Sequence, residues 1–339
     1  MEPNLPSSHY GSKGASWALA IFATLAIAFC AAMVSIHGRH YGWALFVAIP
    51  YFAGFFSTAL LRLGGVQPFL PCLGLSIGVA FLLCLLFLIF GIEGMICVFM
   101  TLPLAFPLVF LGTWMAFLLF HRPAPVAPPG LLSVFLVLGL ALAIWGELHL
   151  QPISPTYTVS DSVAIEAPLP VVWDSLLHLG SLGQPADLLF HLGVACPQRV
   201  DLYGTGVGAV RVCTLTTGQL HERITVWRPL HELAWVSIST PPPLQELNPF
   251  HKTDPPHLHG FYRSVSGRFE LQSLGPQRTL VTRHSSYQHH LFPAAYWRIW
   301  CDYVARRGHL HVLNVLKHAA EERAPGTAPA AQRPRMALR

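Results

Sequence analysis

Hydrophobic and polar positions divide the chain near residue 150. Up to that point, uncharged apolar runs at 17–36, 42–61, 69–90 and 95–120 are separated by short polar breaks, and a shorter run at 131–145 extends to 150 if Glu147 sits at an interface. A helix of about 20 apolar residues crosses the hydrocarbon core of a bilayer. The pattern therefore predicts five membrane spans, or four if the last run falls short. Pro103 and Pro107 lie inside the fourth run, where a membrane helix tolerates proline because neighbouring groups satisfy the freed carbonyls.

Beyond residue 150 the period changes. Residues 157–166 read as a strand, 168–179 and 184–192 as short helices, and 208–216, 219–227 and 232–239 as strands joined by hairpin-length breaks at Thr217-Gly218 and 229–231. A proline-rich loop at 241–256 precedes two further strands, 261–271 and 278–287, turned by Leu274-Gly275-Pro276. A long helix over 291–323 follows. This order predicts an α+β domain in which one helix covers one face of an antiparallel sheet. The expected organisation is a polar N-terminus (1–16), a transmembrane region (17–150), a stiff linker (151–156) with Pro152 and Pro155, the α+β domain (157–323) and a disordered Ala/Pro-rich tail (324–339).

On a helical wheel the last helix has two faces. Tyr296, Trp300, Tyr303 and Val304 share one side, continued by Arg307, His311 and His318; past Gly308, Val312, Leu313, Leu316 and Ala320 point nearly the opposite way. A straight helix predicts a cavity lined by Tyr296, Trp297, Trp300 and Tyr303 and ended by Arg307 and His311. A bend at Gly308 would leave Arg307 and His311 in solvent.

Charge follows the same division. The first 150 residues carry only Lys13, Arg39, Arg62 and Arg122 against Glu2, Glu93 and Glu147, out of 21 Lys and Arg and 16 Asp and Glu in the chain. A signal peptide is the rival for the first run, but no cationic cluster precedes it and more apolar runs follow. With the N-terminus cytoplasmic, Lys13, Arg62 and Arg122 fall inside and Arg39 outside, and five spans then place the second half outside the cytoplasm; four reverse this. No ionisable residue sits in the middle of a span, so no proton relay, ion path or voltage sensor is expected. The spans read as an anchor in a bacterial cell membrane, with the side of the second half open.

Other chemistries leave no signature. A net charge of +5 without a dense basic stripe gives no nucleic-acid footprint. The seven cysteines form no CxxC pair and no even framework. His257-x-His259 and the pair His311 and His318 have ligand-like spacing, yet no HExxH appears, so neither a metal nor a cofactor is expected. GTGVG at 204–208 precedes a strand rather than a helix and reads as a turn, and there is no GxSxG.

The candidate site residues come from strand alternation and aromatic density. Arg211, Cys213 and Leu215 share one face; Leu220, Glu222, Ile224 and Val226 share another, with Glu222 the one carboxylate among apolar neighbours. Glu222 either orients a ligand or acts as a base with a raised pKa, or it pairs with Arg211. Trp173, Trp235, Tyr262, Tyr287 and the helix aromatics are numerous enough to line a cavity, although each alone also reads as core. His284 or His311 could serve as a neutral hydrogen-bonding or proton-carrying imidazole.

Four stretches resemble the START-like, helix-grip (SRPBCC) superfamily of polyketide cyclases, plant pathogenesis-related allergens and lipid-transfer domains: VAIEAPLPVVWDSL, GTGVGAVRVCTLTTGQLHERITVWRP, SGRFELQSLGPQRTLVTRHSSY and PAAYWRIWCDYV. They cover about half the chain, none of it in the apolar half. The resemblance implies a curved sheet wrapped round the long helix, with an apolar cavity between them for sterols, lipids or polyketides. The favoured function is a membrane-anchored module that binds a hydrophobic ligand, lipid or polyketide-like, without catalysis. The alternatives are a cyclase, aromatase or dehydratase using Glu222, Arg211, His284 or Tyr287 as acid or base, and a non-catalytic assembly or signalling subunit. In the last, Gly54 and Gly74 would let a membrane-protein partner approach closely.

Overall fold

The computed structural model describes residues 13–63, 65–120, 129–149, 154–185 and 187–324. Most of the polar N-terminus, residues 151–153 of the linker, and the tail from 325 on lie outside the described residues, and with them the disorder expected of the tail. The chain forms two compact units. One takes in the N-terminal region together with residues 246–257 and 290–297; the other takes in 154–245, 258–289 and the chain from 298 on.

The first unit is helical: α1 (Lys13–His37), a π-helical turn (Ala44–Ala48) running into α2 (Ile49–Leu63), α3 (Phe69–Ile89), α4 (Met95–Leu119) and α5 (Pro129–His149). Four stretches among the described residues are long and apolar enough to cross a membrane, ending with α4. The expected fifth span is thus not established. Phe22, Leu70, Phe81, Phe99 and Leu142 point outward, 65–75% exposed.

Inside, small residues set the spacing. A Cβ on Gly54 would lie 2.1 Å from the Val109 carbonyl oxygen, and one on Gly112 2.1 Å from that of Tyr51, so α2 and α4 pack backbone to backbone. Ser57 and Thr58 of α2 reach Ser76 of α3 at 2.9 and 3.1 Å. Gly54 therefore serves packing within the chain. A Cβ on Gly74 would meet nothing within 4 Å; with Trp17, Ile21, Gly78 and Leu82 it lines an apolar groove of about 390 Å³.

The two later segments of this unit fasten to loop backbone. Asn248 donates to the Leu88 and Glu93 carbonyls at 2.9 and 3.1 Å, Met95 N donates to Leu247 O at 2.8 Å, and Phe292 N donates to Tyr41 O at 3.0 Å. Residues 246–256 of the expected proline-rich loop are thus an ordered part of the helical unit.

The second unit is an eight-stranded antiparallel sheet in the order β1-β8-β7-β6-β5-β4-β3-β2. The strands are β1 (Tyr157–Ile165), β2 (Gly180–Ser181), β3 (Pro197–Tyr203), β4 (Val210–Leu215), β5 (Gly218–Arg228), β6 (Glu232–Ser237), β7 (Tyr262–Gly275) and β8 (Arg278–His289). Irregularities at 197/199, 224/226, 264/266 and 273/275 interrupt the registers, and bulges of this kind bend a sheet. Two short helices, α6 (Leu169–Leu177) and α7 (Leu188–His191), precede the meander, and α8 (Ala294–Arg323) ends it.

From Arg298 onward α8 belongs to this unit, and its Val312, Leu313, Leu316 and Ala320 join Ile165, Ile224, Leu233, Phe269 and Val281 in one core with Val172 and Leu176 of α6. This is the antiparallel sheet with a long C-terminal helix that the resemblance implies. The sequence pattern missed β3, because PQRVDLY opens on proline and offers only Val200 and Leu202 as apolar alternation.

Candidate functional site

The sheet's inner face carries charge. Arg211 on β4 and Glu222 on β5 are cross-strand partners and form an ion pair, the two residues only 3% and 2% exposed. The Arg211 guanidinium lies 4.4 Å over the Trp235 ring of β6, and the indole N–H also hydrogen-bonds Glu222. A Cβ on Gly267 of β7 would be 2.6 Å from the same indole, so glycine there makes room for it. Burial pushes the Glu222 carboxyl up despite the attraction of Arg211.

A second guanidinium, Arg283 on β8, faces Phe269 at 5.5 Å. Burial, and then the charge of Arg211, push its pKa down to about 10. Arg283 Nε and Nη1, and Arg211 Nη2, are buried with no hydrogen-bond partner. Beside them runs a complete relay: His309 Nδ1 lies 2.8 Å from Asp161 Oδ2 on β1, and His309 Nε2 lies 2.8 Å from Ser285 Oγ on β8. Arg306 donates to the other Asp161 oxygen at 2.9 Å. Burial, reinforced by the positive charge of Arg283 and Arg306, pushes His309 down to about 2, so the imidazole is neutral. It then donates to Asp161 and accepts from Ser285. Further along, Tyr287 OH donates to Asp302 Oδ1 at 2.6 Å and its ring stacks on Tyr262 with centroids 5.6 Å apart.

No protein-family model matches the sequence, and no curated protein is significantly similar to it. Among solved structures, the Zhui aromatase/cyclase of Streptomyces sp. R1128 is 18% identical over 50% of this chain and 96% of that one, with a TM-score of 0.34. A point mutant of norcoclaurine synthase from Thalictrum flavum is 13% identical over 51% and 98%, TM-score 0.33. The di-domain aromatase/cyclase BexL from the BE-7585A biosynthetic pathway is 16% identical over 56% and 57%, TM-score 0.32. At these identities and TM-scores the likenesses carry no conclusion about ligand or reaction.

Of the residues expected at the site, Arg211, Glu222 and Trp235 meet one another, Tyr262 stacks on Tyr287 on the same inner face, and Trp173 of α6 joins the core edge-on to Trp227. His284 is on the other face of β8, bonded to Ser160 at 2.6 Å and 3.4 Å from Glu270. Residues 284 and 287 are three apart in a strand, so they cannot share a face.

The aromatic side of α8 is also turned from the sheet. The helix runs unbroken through Gly308, and the stripe of Leu313, Leu316 and Ala320 continues back through His309 to Asp302, so the inward residues of its first half are polar. Tyr303 is 44% exposed, and Trp300 lies on the same outer side of the wheel. Arg307 pairs with Asp187 at 2.9 Å, and His311 packs on Phe190 of α7, burial lowering its pKa. A straight helix thus does not place Arg307 and His311 at the inner face. Tyr296 and Trp297 belong to the first unit, where Tyr296 OH donates to Met100 O and Trp297 meets Phe46 edge-on at 4.8 Å.

Asp161, Arg283, Ser285, Asp302 and His309 were missed. Their signal is parity: Arg283 and Ser285 alternate with Val281 and Tyr287, Asp161 with Val159 and Val163, and His309 is one turn from Leu313.

Proposed function

We propose that the chain is an integral protein of a bacterial cell membrane whose apolar helices anchor a helix-grip domain, and that this domain binds a hydrophobic small molecule bearing an oxygen acceptor, lipid or polyketide-like. The carrying observation is the set of buried guanidinium N–H groups on Arg283 and Arg211 without acceptors. Leaving a buried donor unsatisfied costs about 1–3 kcal/mol, more when it is charged, and a ligand carboxylate or carbonyl between them would remove that cost. Trp235 with Phe269, and Tyr262 with Tyr287, supply aromatic surface on the same inner face. Anchoring keeps the domain at the surface where such ligands concentrate.

A second reading, catalysis on the same ligand, is favoured by the Asp161–His309–Ser285 relay, which holds a neutral imidazole in one tautomer ready to move a proton at Nε2. In this reading His309, rather than His284, is the acid–base residue of a cyclase or dehydratase.

Mass spectrometry of small molecules extracted from the purified full chain tests the binding reading. Wild type should carry a hydrophobic, oxygen-bearing compound that Arg283→Met largely loses. Equal, background-level extracts from both would mean that water alone satisfies the guanidinium groups, and the reading would fall.

A further inference from the structure

The first unit has a polar cluster of its own. Glu93 closes the loop before α4, Cys97 sits in the first turn of α4, and His257 ends the segment 246–257. Glu93 and His257 are 7% and 8% exposed. One carboxylate oxygen, the thiol sulfur and one imidazole nitrogen all lie within 4.8 Å of one another. Tyr41 OH donates to Glu93 Oε1 at 3.0 Å, fixing that carboxylate. Glu246 accepts from the amides of Ile96 at 3.2 Å and Cys97 at 3.0 Å, capping α4. The groups left over are Glu93 Oε2 and His257 Nδ1, both buried, without a hydrogen-bond partner, and 3.5 Å apart.

The geometry points to a zinc-class divalent metal site with Glu93, Cys97 and His257 as ligands. Zinc–oxygen and zinc–nitrogen bonds near 2.1 Å at a tetrahedral angle separate the two ligand atoms by about 3.4 Å, which matches the Oε2–Nδ1 spacing of 3.5 Å. Thiolate with imidazole and carboxylate selects zinc over magnesium or calcium. Binding releases the Cys97 thiol proton to solvent, and Tyr41 acts as the outer partner that orients Glu93. Three protein ligands leave the fourth position for water or another small ligand.

The rival arrangement is a thiol–imidazole–carboxylate relay, prompted by the 2.9 Å between Cys97 Sγ and His257 Nε2. A relay strings its members along the imidazole, which would hold sulfur and carboxylate roughly 8 Å apart by two hydrogen bonds and the ring width. Here they stand within 4.8 Å. Glu246 also occupies the α4 amides that would otherwise stabilise a thiolate or an oxyanion.

The test uses full chain purified in mild detergent without chelator, analysed for metals and then titrated with cobalt(II) after metal removal. The expected result is about one zinc per chain, and in the cobalt form a sulfur-to-cobalt charge-transfer band with tetrahedral visible bands. Cys97→Ser and His257→Gln should abolish the band, Tyr41→Phe should weaken binding about 10–100-fold, and Cys84→Ser, a cysteine of α3 outside the cluster, should leave it unchanged. Matching circular dichroism and gel-filtration profiles guard against misfolded variants. Wild type that retains no metal and gives no cobalt band overturns the proposal, as does a band that survives both ligand substitutions. His257-dependent alkylation of Cys97 without a cobalt band would instead establish the relay. The Arg283→Met variant should retain the metal, so the two proposals fail separately.

Discussion

Replacing Glu222 by leucine isolates the charge balance of the inner face. Glu222 is 2% exposed and is the ion-pair partner of Arg211, while burial and then the nearby charge of Arg211 depress the pKa of Arg283. Without Glu222, two buried cations share an apolar interior. Removing one partner of a buried pair costs about 3–5 kcal/mol, whereas replacing both by apolar groups of similar volume is near neutral or stabilising. A domain of this size shifts its melting point by roughly 2–4 °C per kcal/mol, so Glu222→Leu should lower it by roughly 6–20 °C. The double variant Arg211→Met/Glu222→Leu should recover most of that loss, since a methionine keeps contact with the Trp235 ring now 4.4 Å from the guanidinium. Hydrogen–deuterium exchange over β4 and β5 reads this unit apart from the apolar helices, and a double-mutant cycle gives the coupling. If the single and double variants lose protection equally, the pair does not balance charge and the reasoning fails.

Three further outcomes follow from local geometry. His309 titrates at about 2 in the folded chain against an ordinary 6.5, so below pH 6.5 the unfolded chain binds the extra proton and stability falls with pH; from pH 7.5 to 5 this amounts to about 2 kcal/mol, and a His309→Gln variant with the wild-type pH slope would contradict it. Gly54→Ala drives a Cβ to 2.1 Å from a backbone carbonyl and should cost about 1–3 kcal/mol, whereas Gly74→Ala meets nothing within 4 Å and should be neutral or stabilising in thermal unfolding in detergent. Gly267→Ala should displace the Trp235 indole, 2.6 Å from the new methyl, and alter its near-ultraviolet circular dichroism; an unchanged spectrum would show that the ring has room.

Alternation and helical period made the elements legible, because each is a local property. The apolar runs, the meander and the last helix emerge nearly where expected, and Arg211 opposite Glu222 was a foreseeable pairing. The direction of α8 was not legible in the same way. Its first half offers aromatic rings on one side and Asp302 and His309 on the other, and hydrophobicity alone turns the rings inward. The polar side wins because Asp161, Ser285 and Tyr287 on the sheet give Asp302 and His309 partners, which a wheel drawn for one helix cannot register. The contacts of Glu246 with the amides at the start of α4, and of His257 with Cys97, span about 150 residues, so no local pattern announces them.

The central claim, a hydrophobic ligand held on the inner face with its oxygen at Arg283, is tested most directly by photo-crosslinking. Full chain in native-like membranes is exposed to an alkyl carboxylate carrying a photoreactive group, and labelled peptides are mapped. Labelling should fall on strands β6 to β8, around Trp235, Phe269 and Tyr287, and should drop sharply in Arg283→Met. Labelling confined to the apolar helices of residues 13–149, unchanged by the substitution, would contradict the account.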